Sequence, residues 1–177
     1  KSALVQSFIS ELPPDAKVVH SECSPARTEL PYATIADWVR EMTGTTESTP
    51  LDEVVEAVSE ALGDLASGKH GQDIVQRLAE LVTGEISAAA DEADAQHYKR
   101  LITSGVRRFL ARVAAENPVV LVVDGLSWSD RPSMELISEL SRWRDPLPIL
   151  MVVITRPDDR VSQYIEGMVR IEVKGLS

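Results

Sequence analysis

The chain has 177 residues, of which 44% are hydrophobic and 26% charged, a composition typical of a soluble globular domain with a substantial core. A formal net charge of −10 argues against a broad surface for nucleic acid, but it allows one nucleotide held by local backbone N–H groups and one or two cations. The single cysteine, Cys23, excludes an intrachain disulfide and a cysteine metal cluster. With no signal peptide and no apolar run near 20 residues, we expect a cytoplasmic protein without a membrane segment.

The first part of the chain predicts a helix, a strand and a second helix. Apolar residues recur at helical spacing in KSALVQSFISEL, and the prolines of LPPDAK end this helix. Residues 18–23, VVHSEC, predict a short strand. After the polar loop SPARTELPY, helical spacing returns in ATIADWVREM and stops at Gly44.

A helical segment of about residues 51–116 follows the turn-rich linker TGTTESTP. Apolar residues at helical spacing predict one helix from Leu51 to Leu65 and another from Ile74 to Val82. After SAAADEADAQ, which predicts an exposed connection, a long helix is expected over residues 97–116.

The last part of the chain predicts further strands. Val119–Asp124, VVLVVD, is the continuous apolar run expected of a strand covered on both faces. A helix starting near Pro132 leads to a second buried strand, residues 149–155, and residues 169–173, VRIEV, predict one more.

Strands that alternate with helices predict an α/β domain with a mostly parallel sheet. In such sheets, ligands bind at the C-terminal ends of the strands. Asp124, Thr155 and Arg156 all lie at predicted strand ends, so they are the first candidate site residues.

The segment VVLVVDGLSWSD resembles a Walker B segment and, more narrowly, the hhhhDDLHWAD pattern of AAA-type signalling ATPases. These STAND-class modules occur in large bacterial LuxR-type regulators and multidomain adenylate cyclases. Other segments that resemble the family follow in the expected order: YATIADWVREMTG, HYKRLITSGVRRFLARVAAENPVVLVVD, ILMVVITRPDDR and VRIEVKGLS. The resemblance covers nearly the whole chain. It implies a three-layer P-loop NTPase-like fold, with residues 1–177 as a partial AAA/STAND domain and the helical segment inserted between the second strand and the Walker B strand.

Lys1 and Ser2, directly before an amphipathic helix, resemble the end of the phosphate-binding motif G-x-x-x-x-G-K-[ST]. The resemblance implies that the first strand and the glycine loop precede Lys1 and are missing here. It also implies that Lys1 reaches the outer phosphates of ATP, and that Ser2 and Asp124 bind Mg²⁺. Arg156 would read the outer phosphate with its planar guanidinium.

The resemblance also implies an order of strands. The missing strand would lie mid-sheet, so we expect residues 18–23, 119–124 and 149–155 to form a contiguous parallel sheet. Residues 169–173 should be displaced, paired differently or completed by another molecule. An open hydrophobic edge of this kind is a candidate for self-association.

The chain departs from the family pattern at two positions. The second acidic residue, which usually orients or activates the attacking water, is replaced by Gly125, and the usual histidine two residues later is Ser127. The catalytic residue is therefore unassigned. Glu22 or Asp130 could substitute only if the fold brings one of them within reach of the water at the γ-phosphate.

The function implied is an ATP- and Mg²⁺-binding regulatory switch with weak or slow hydrolysis, part of a larger bacterial signalling or transcription-regulating protein. Its expected partners are ATP or ADP and other domains of the parent chain, with no direct contact to nucleic acid or membrane.

Two alternatives remain open. A degenerate ATPase fold used only as an interaction scaffold is favoured by Gly125, and nucleotide binding would discriminate it. A receiver-like phospho-acceptor domain is suggested by the order of Asp124, Thr155 and Lys174. A receiver also needs an acidic pair at its first strand, a short distance before the phospho-accepting aspartate, and several predicted helices separate Glu22 from Asp124.

Overall fold

A computed structural model of the chain describes residues 2–85, 92–143 and 145–173. Within these residues the strands are Lys17–Glu22 (β1), Val119–Asp124 (β2) and Ile149–Ile154 (β3). The helices are Ser2–Ser10 (α1), Ala33–Thr43 (α2), Leu51–Leu62 (α3), Gly68–Thr83 (α4), Glu92–Ala114 (α5), Arg131–Ser141 (α6) and Asp159–Ser162 (α7). Short 3₁₀ turns cover Pro25–Arg27, Gly63–Ala66 and Leu126–Trp128.

The sheet has the order β1-β2-β3, and both pairs of neighbours are parallel. The pairing is in register, so the rows run from Lys17, Val119 and Ile149 to Glu22, Asp124 and Ile154. This confirms the predicted contiguous parallel sheet and the α/β class. The central strand β2 is buried from its first residue to its fifth, as a strand covered on both faces must be.

Alternate residues of the strands belong to two different hydrophobic clusters, which gives the domain three layers. The larger cluster contains Val19, Leu121 and Val123 and is completed by residues of α2 to α6. On the opposite face, Val120 and Val122 pack with Val5 and Ile9 of α1 in a smaller cluster. Side chains of successive strand residues point to opposite faces, so the position along a strand decides which helices a residue meets.

The helical segment packs on the rest of the domain at α2, β2 and α6. Helices α3, α4 and α5 contact one another, and α4 also contacts α2. The Arg40 Nε of α2 donates a hydrogen bond to the carbonyl of Val82 in the last turn of α4, at 3.2 Å. Gly105 allows α5 to approach α4 closely, because an added Cβ would lie 2.8 Å from Cγ2 of Ile74.

The strand predicted over residues 169–173 is wrong. This segment has no regular secondary structure, and the side chains of Val169 and Ile171 are 92% and 80% exposed. Alternating apolar and charged residues favour a strand, but a strand forms only beside another strand that accepts its backbone hydrogen bonds. Among the described strands, β3 pairs with β2 alone.

Helix bounds also differ from the sequence prediction. The long helix begins at Glu92 instead of His97, and the helix expected to continue to Leu65 ends at Leu62. Gly63, with a positive φ of 56°, ends α3, and a 3₁₀ turn follows.

Candidate functional site

Two carboxylates lie side by side at the C-terminal edge of the sheet. Glu22 ends β1, Asp124 ends β2, and the two residues are direct partners in the parallel register. Neighbouring strands are about 4.8 Å apart, so this is also the approximate separation of the two Cα atoms. Glu22 shares its face with Val18, and Asp124 shares its face with Val122; both valines pack in the α1 cluster. The two acidic residues therefore stand on the face of the sheet that α1 covers.

Helix α1 runs in the direction opposite to that of the strands. Residues 11–16 connect the end of α1 to the start of β1, so the helix is antiparallel to the strands. Its N-terminal end, where Ser2 begins the helix, therefore lies towards the C-terminal edge, on the same face as Asp124. A helix N-terminus presents unpaired N–H groups and a partial positive charge. The predicted site residue Lys1 and the side chain of Ser2 lie outside the described residues.

The position of the expected second acid, Gly125, is a tight turn. Its φ is +79°, in the left-handed region that glycine adopts at little cost, and its N–H donates to the carbonyl of Ile154 at 2.9 Å. An added Cβ would lie 3.0 Å from the carbonyl oxygen of Cys23. Both the backbone conformation and this close approach favour glycine over the acidic residue that the family pattern has at this position.

Asp130 is not available as a substitute acid. It is 3% exposed, and the described residues supply its carboxylate with four donors. Oδ1 accepts from the N–H groups of Tyr32 and Ser133, each at 2.8 Å. Oδ2 accepts from the N–H of Ala33 at 3.1 Å and from the Ser133 hydroxyl at 2.6 Å. Asp130 therefore caps α6 and also binds the N-terminal end of α2. Of the two predicted substitutes, the fold leaves Glu22.

Further polar contacts join the loop after β1 to the loop after β2. The hydroxyls of Thr34 and Ser129 are 2.8 Å apart, and the Cys23 Sγ lies 3.4 Å from the Thr34 hydroxyl. The Thr28 hydroxyl donates to the carbonyl of Trp128 at 3.2 Å. Burial raises the pKa of the Cys23 thiol above its usual value, although hydrogen bonds to Thr34 and Ser129 act in the opposite direction. The two loops are thus held as one unit.

A second group of contacts extends from these loops to the helical segment. The Arg27 guanidinium forms a bidentate pair with Asp37 of α2, at 2.8 and 2.9 Å. Arg40 Nη1 also donates to Asp37 Oδ1, at 3.0 Å, while its Nε donates to Val82 of α4. Sequence reasoning missed this network, because no local spacing connects Arg27 to Asp37 or Arg40 to Val82.

Thr155 and Arg156 follow β3 directly, as predicted, and so reach the same edge as Asp124. The Thr155 hydroxyl donates to the carbonyl of Arg156 at 3.0 Å, and the Arg156 side chain is exposed. The fold therefore brings Asp124 and Arg156 to the ends of neighbouring strands.

The described residues contain no cluster of three or more His, Cys, Asp or Glu side chains that could hold a metal ion. Mg²⁺ is usually held by one or two carboxylates together with phosphate oxygens and water. The carboxylate of Asp124 is an oxygen donor of this kind. In the same part of the chain, no helix is both long enough and apolar enough to span a membrane.

Comparison with known proteins identifies the family. The chain matches the AAA ATPase domain over residues 1–153, which include α1, the helical segment, β2 with Asp124, and most of β3. No curated protein and no solved structure is significantly similar to it. Because the match covers far more than half of the 177 residues, the chain belongs to the AAA ATPase domain family, whose members are nucleotide-binding ATPase modules.

Proposed function

We propose that this AAA ATPase domain binds ATP with Mg²⁺ and acts as a switch whose state follows nucleotide occupancy. The observation that carries the proposal is the position of Asp124. It ends the central buried strand of an AAA ATPase domain, on the face that α1 covers. A carboxylate at the tip of a rigid strand is suited to hold a metal ion beside phosphates.

Four residues are proposed to hold the ligand. The Asp124 carboxylate and the Ser2 hydroxyl would bind Mg²⁺, Lys1 would contact the outer phosphates, and Arg156 would read the outermost one. The roles of Lys1 and Ser2 rest on the KS motif and on the direction of α1. Bound Mg²⁺ would neutralise charge on the phosphates, while this chain's own residues orient them.

The switch is supported by contacts that connect the strand ends to the helices. Asp130, six residues after Asp124, binds the N-terminal end of α2, and α2 in turn binds α4 through Arg40. A small shift of the loop after β2 therefore acts on α2 and, through it, on the helical segment. Local ligand contacts that bias such a packed element are the usual basis of a nucleotide switch.

The parent protein is proposed to be a larger bacterial signalling or transcription-regulating protein, such as a LuxR-type regulator or a multidomain adenylate cyclase. Residues 1–177 would form part of its AAA/STAND domain, with residues 51–116 inserted between β1 and β2. The other domains of the parent chain would be the partners that respond to ATP or ADP. This proposal is supported by the order of the family-like segments in the sequence.

A scaffold without nucleotide is the second candidate function, and one observation favours it. The turn at Gly125 disfavours a side chain, so the acid that usually follows the Walker B aspartate has no place in this backbone. An interaction scaffold needs no such acid. Nucleotide binding separates the two candidates, because the scaffold would bind neither ATP nor ADP.

The experiment uses a longer version of the chain that includes the glycine loop expected before Lys1. Trp128 is 43% exposed in the turn after β2, so its fluorescence should report occupancy of the neighbouring site. ATP with Mg²⁺ should change the fluorescence saturably, and ADP should give a different plateau. Trp128→Phe, which leaves the buried Trp38 and the partly buried Trp143 in place, should remove most of the signal. No saturable change at millimolar ATP, with no binding by equilibrium dialysis, would favour the scaffold.

A further inference from the structure

We propose that Glu22 is the carboxylate that accepts a proton from the water attacking the γ-phosphate. The inference rests on the proposed function, because it concerns the ATP that Asp124 and Mg²⁺ would hold. In the family pattern, this role belongs to the acidic residue that follows the Walker B aspartate. Gly125 stands at that position here, so we assign the role to a residue of β1.

The register of the sheet places Glu22 beside the proposed metal ligand. Glu22 and Asp124 are paired residues at the ends of adjacent parallel strands, and both stand on the α1 face. Glu22 is exposed, whereas Asp124 is partly buried. The glutamate side chain is one methylene longer than that of aspartate, so its carboxylate reaches farther past the edge. A carboxylate next to the proposed metal ligand is a suitable proton acceptor for a water that attacks the γ-phosphate, provided it comes within hydrogen-bond reach.

Three other acidic residues near the C-terminal edge of the sheet are bound by donors of their own. The four donors to Asp130 occupy both of its carboxylate oxygens. Asp37 is bound by Arg27 and Arg40, with Arg27 in bidentate geometry. Asp158 caps α7 and pairs with Arg160 at 2.7 Å. These three carboxylates have structural partners, whereas Glu22 is exposed and is the register partner of Asp124.

The step conserves atoms and charge. The water oxygen forms a bond to the γ-phosphorus, while the bond from that phosphorus to the β,γ-bridging oxygen breaks. The bridging oxygen leaves with ADP. Glu22 takes one proton from the water and then returns it to the released phosphate, so its carboxylate is regenerated.

The test compares Glu22→Gln with the unchanged chain, both extended to include the glycine loop expected before Lys1. Single-turnover hydrolysis and equilibrium ATP binding with Mg²⁺ are measured separately. Loss of a positioned base should lower the rate about a hundred- to ten-thousand-fold. ATP affinity should change less than about threefold, since the amide keeps the size of the side chain. Glu29→Gln, at an exposed glutamate in the loop after β1, is the matched control and should leave the rate unchanged.

Glu22→Asp supplies a second variant that keeps the carboxylate but draws it back by one methylene. Its rate should lie between those of the parent and Glu22→Gln. A Glu22→Gln rate within about threefold of the parent would overturn the inference, as would a parent that binds ATP without hydrolysing it. A parallel loss of binding and rate would instead make Glu22 a ligand-binding residue, which also contradicts the inference. Failure of the parent to bind ATP would refute the proposed function itself. Thermal melts establish that each variant is folded.

Discussion

Replacing Asp130 with alanine should be one of the most destabilising single substitutions in the domain. The carboxylate is buried and binds two helices that are far apart in sequence, with donors at Tyr32 and Ala33 on one side and Ser133 on the other. Tyr32 has a φ of +59°, a conformation that non-glycine residues adopt at a cost. Asp130 holds this strained residue in place through its N–H group.

The magnitude follows from the donors that lose their acceptor. Loss of the N-cap of α6 costs about 1 kcal/mol, as for other capping residues. The N–H groups of Tyr32 and Ala33 would also lose their acceptors, and a buried unsatisfied donor costs about 1–3 kcal/mol. Water that enters the site should satisfy part of these donors, so we expect a loss of about 3–5 kcal/mol of unfolding free energy, in the lower part of the range that these terms allow. Asp130→Asn keeps an oxygen for Tyr32 and Ser133 but turns an NH₂ group towards Ala33, so it should cost about 1–3 kcal/mol.

Urea unfolding measures this effect. With a slope of about 2 kcal/mol per molar, Asp130→Ala should lower the midpoint by about 1.5–2.5 M without changing the slope. Asp158→Ala is the control, because Asp158 also caps a helix but is only partly buried, and the donors to its carboxylate among the described residues all belong to the nearby Arg160. Its midpoint should shift by a small fraction of that amount. A loss below about 1 kcal/mol for Asp130→Ala would refute the reasoning, since an ordinary substitution costs as much.

Two further predictions concern the same loops. Gly125→Ala should cost about 1–3 kcal/mol, because a left-handed φ is combined with a 3.0 Å approach to the Cys23 carbonyl. Gly44 has a similar φ of +71° but open space around it, so Gly44→Ala should destabilise the chain less than Gly125→Ala in thermal melts. Equal losses of stability would exclude a contribution from the contact with the Cys23 carbonyl. Burial raises the pKa of the Cys23 thiol, so less thiolate is present at a given pH. Alkylation of the folded chain should be slow at pH 8 and still accelerate at pH 9, whereas a plateau below pH 8 would contradict the raised pKa.

The sequence predicted the sheet well because its signals are local. Five consecutive apolar residues before Asp124, bounded by Pro118 and Gly125, are typical of a strand covered on both faces, and the alternation with helices favours parallel connections. The resemblance to AAA-type ATPases rests on such local segments too, and the family match over residues 1–153 confirms it.

The features that sequence reasoning missed depend on pairing over long distances. Residues 169–173 alternate like a strand, but they pair with none of the described strands. Asp130 was a candidate for catalysis because its donors Tyr32 and Ala33 lie almost 100 residues away in sequence. Only the register of the two strands shows that Glu22 lies beside Asp124.

The most direct test of the central claim is the Mg²⁺ dependence of ATP binding in Asp124→Ala, measured by calorimetric titration of the chain with its expected glycine loop. The parent should bind ATP more tightly with Mg²⁺ than with EDTA. Asp124→Ala should lose most of that difference while keeping its Mg²⁺-independent binding. Because Asp124→Asn has the same size without the charge, it should resemble the alanine variant. If Asp124→Ala retains the full effect of Mg²⁺ in a folded chain, the metal is held elsewhere and the account of this site is wrong.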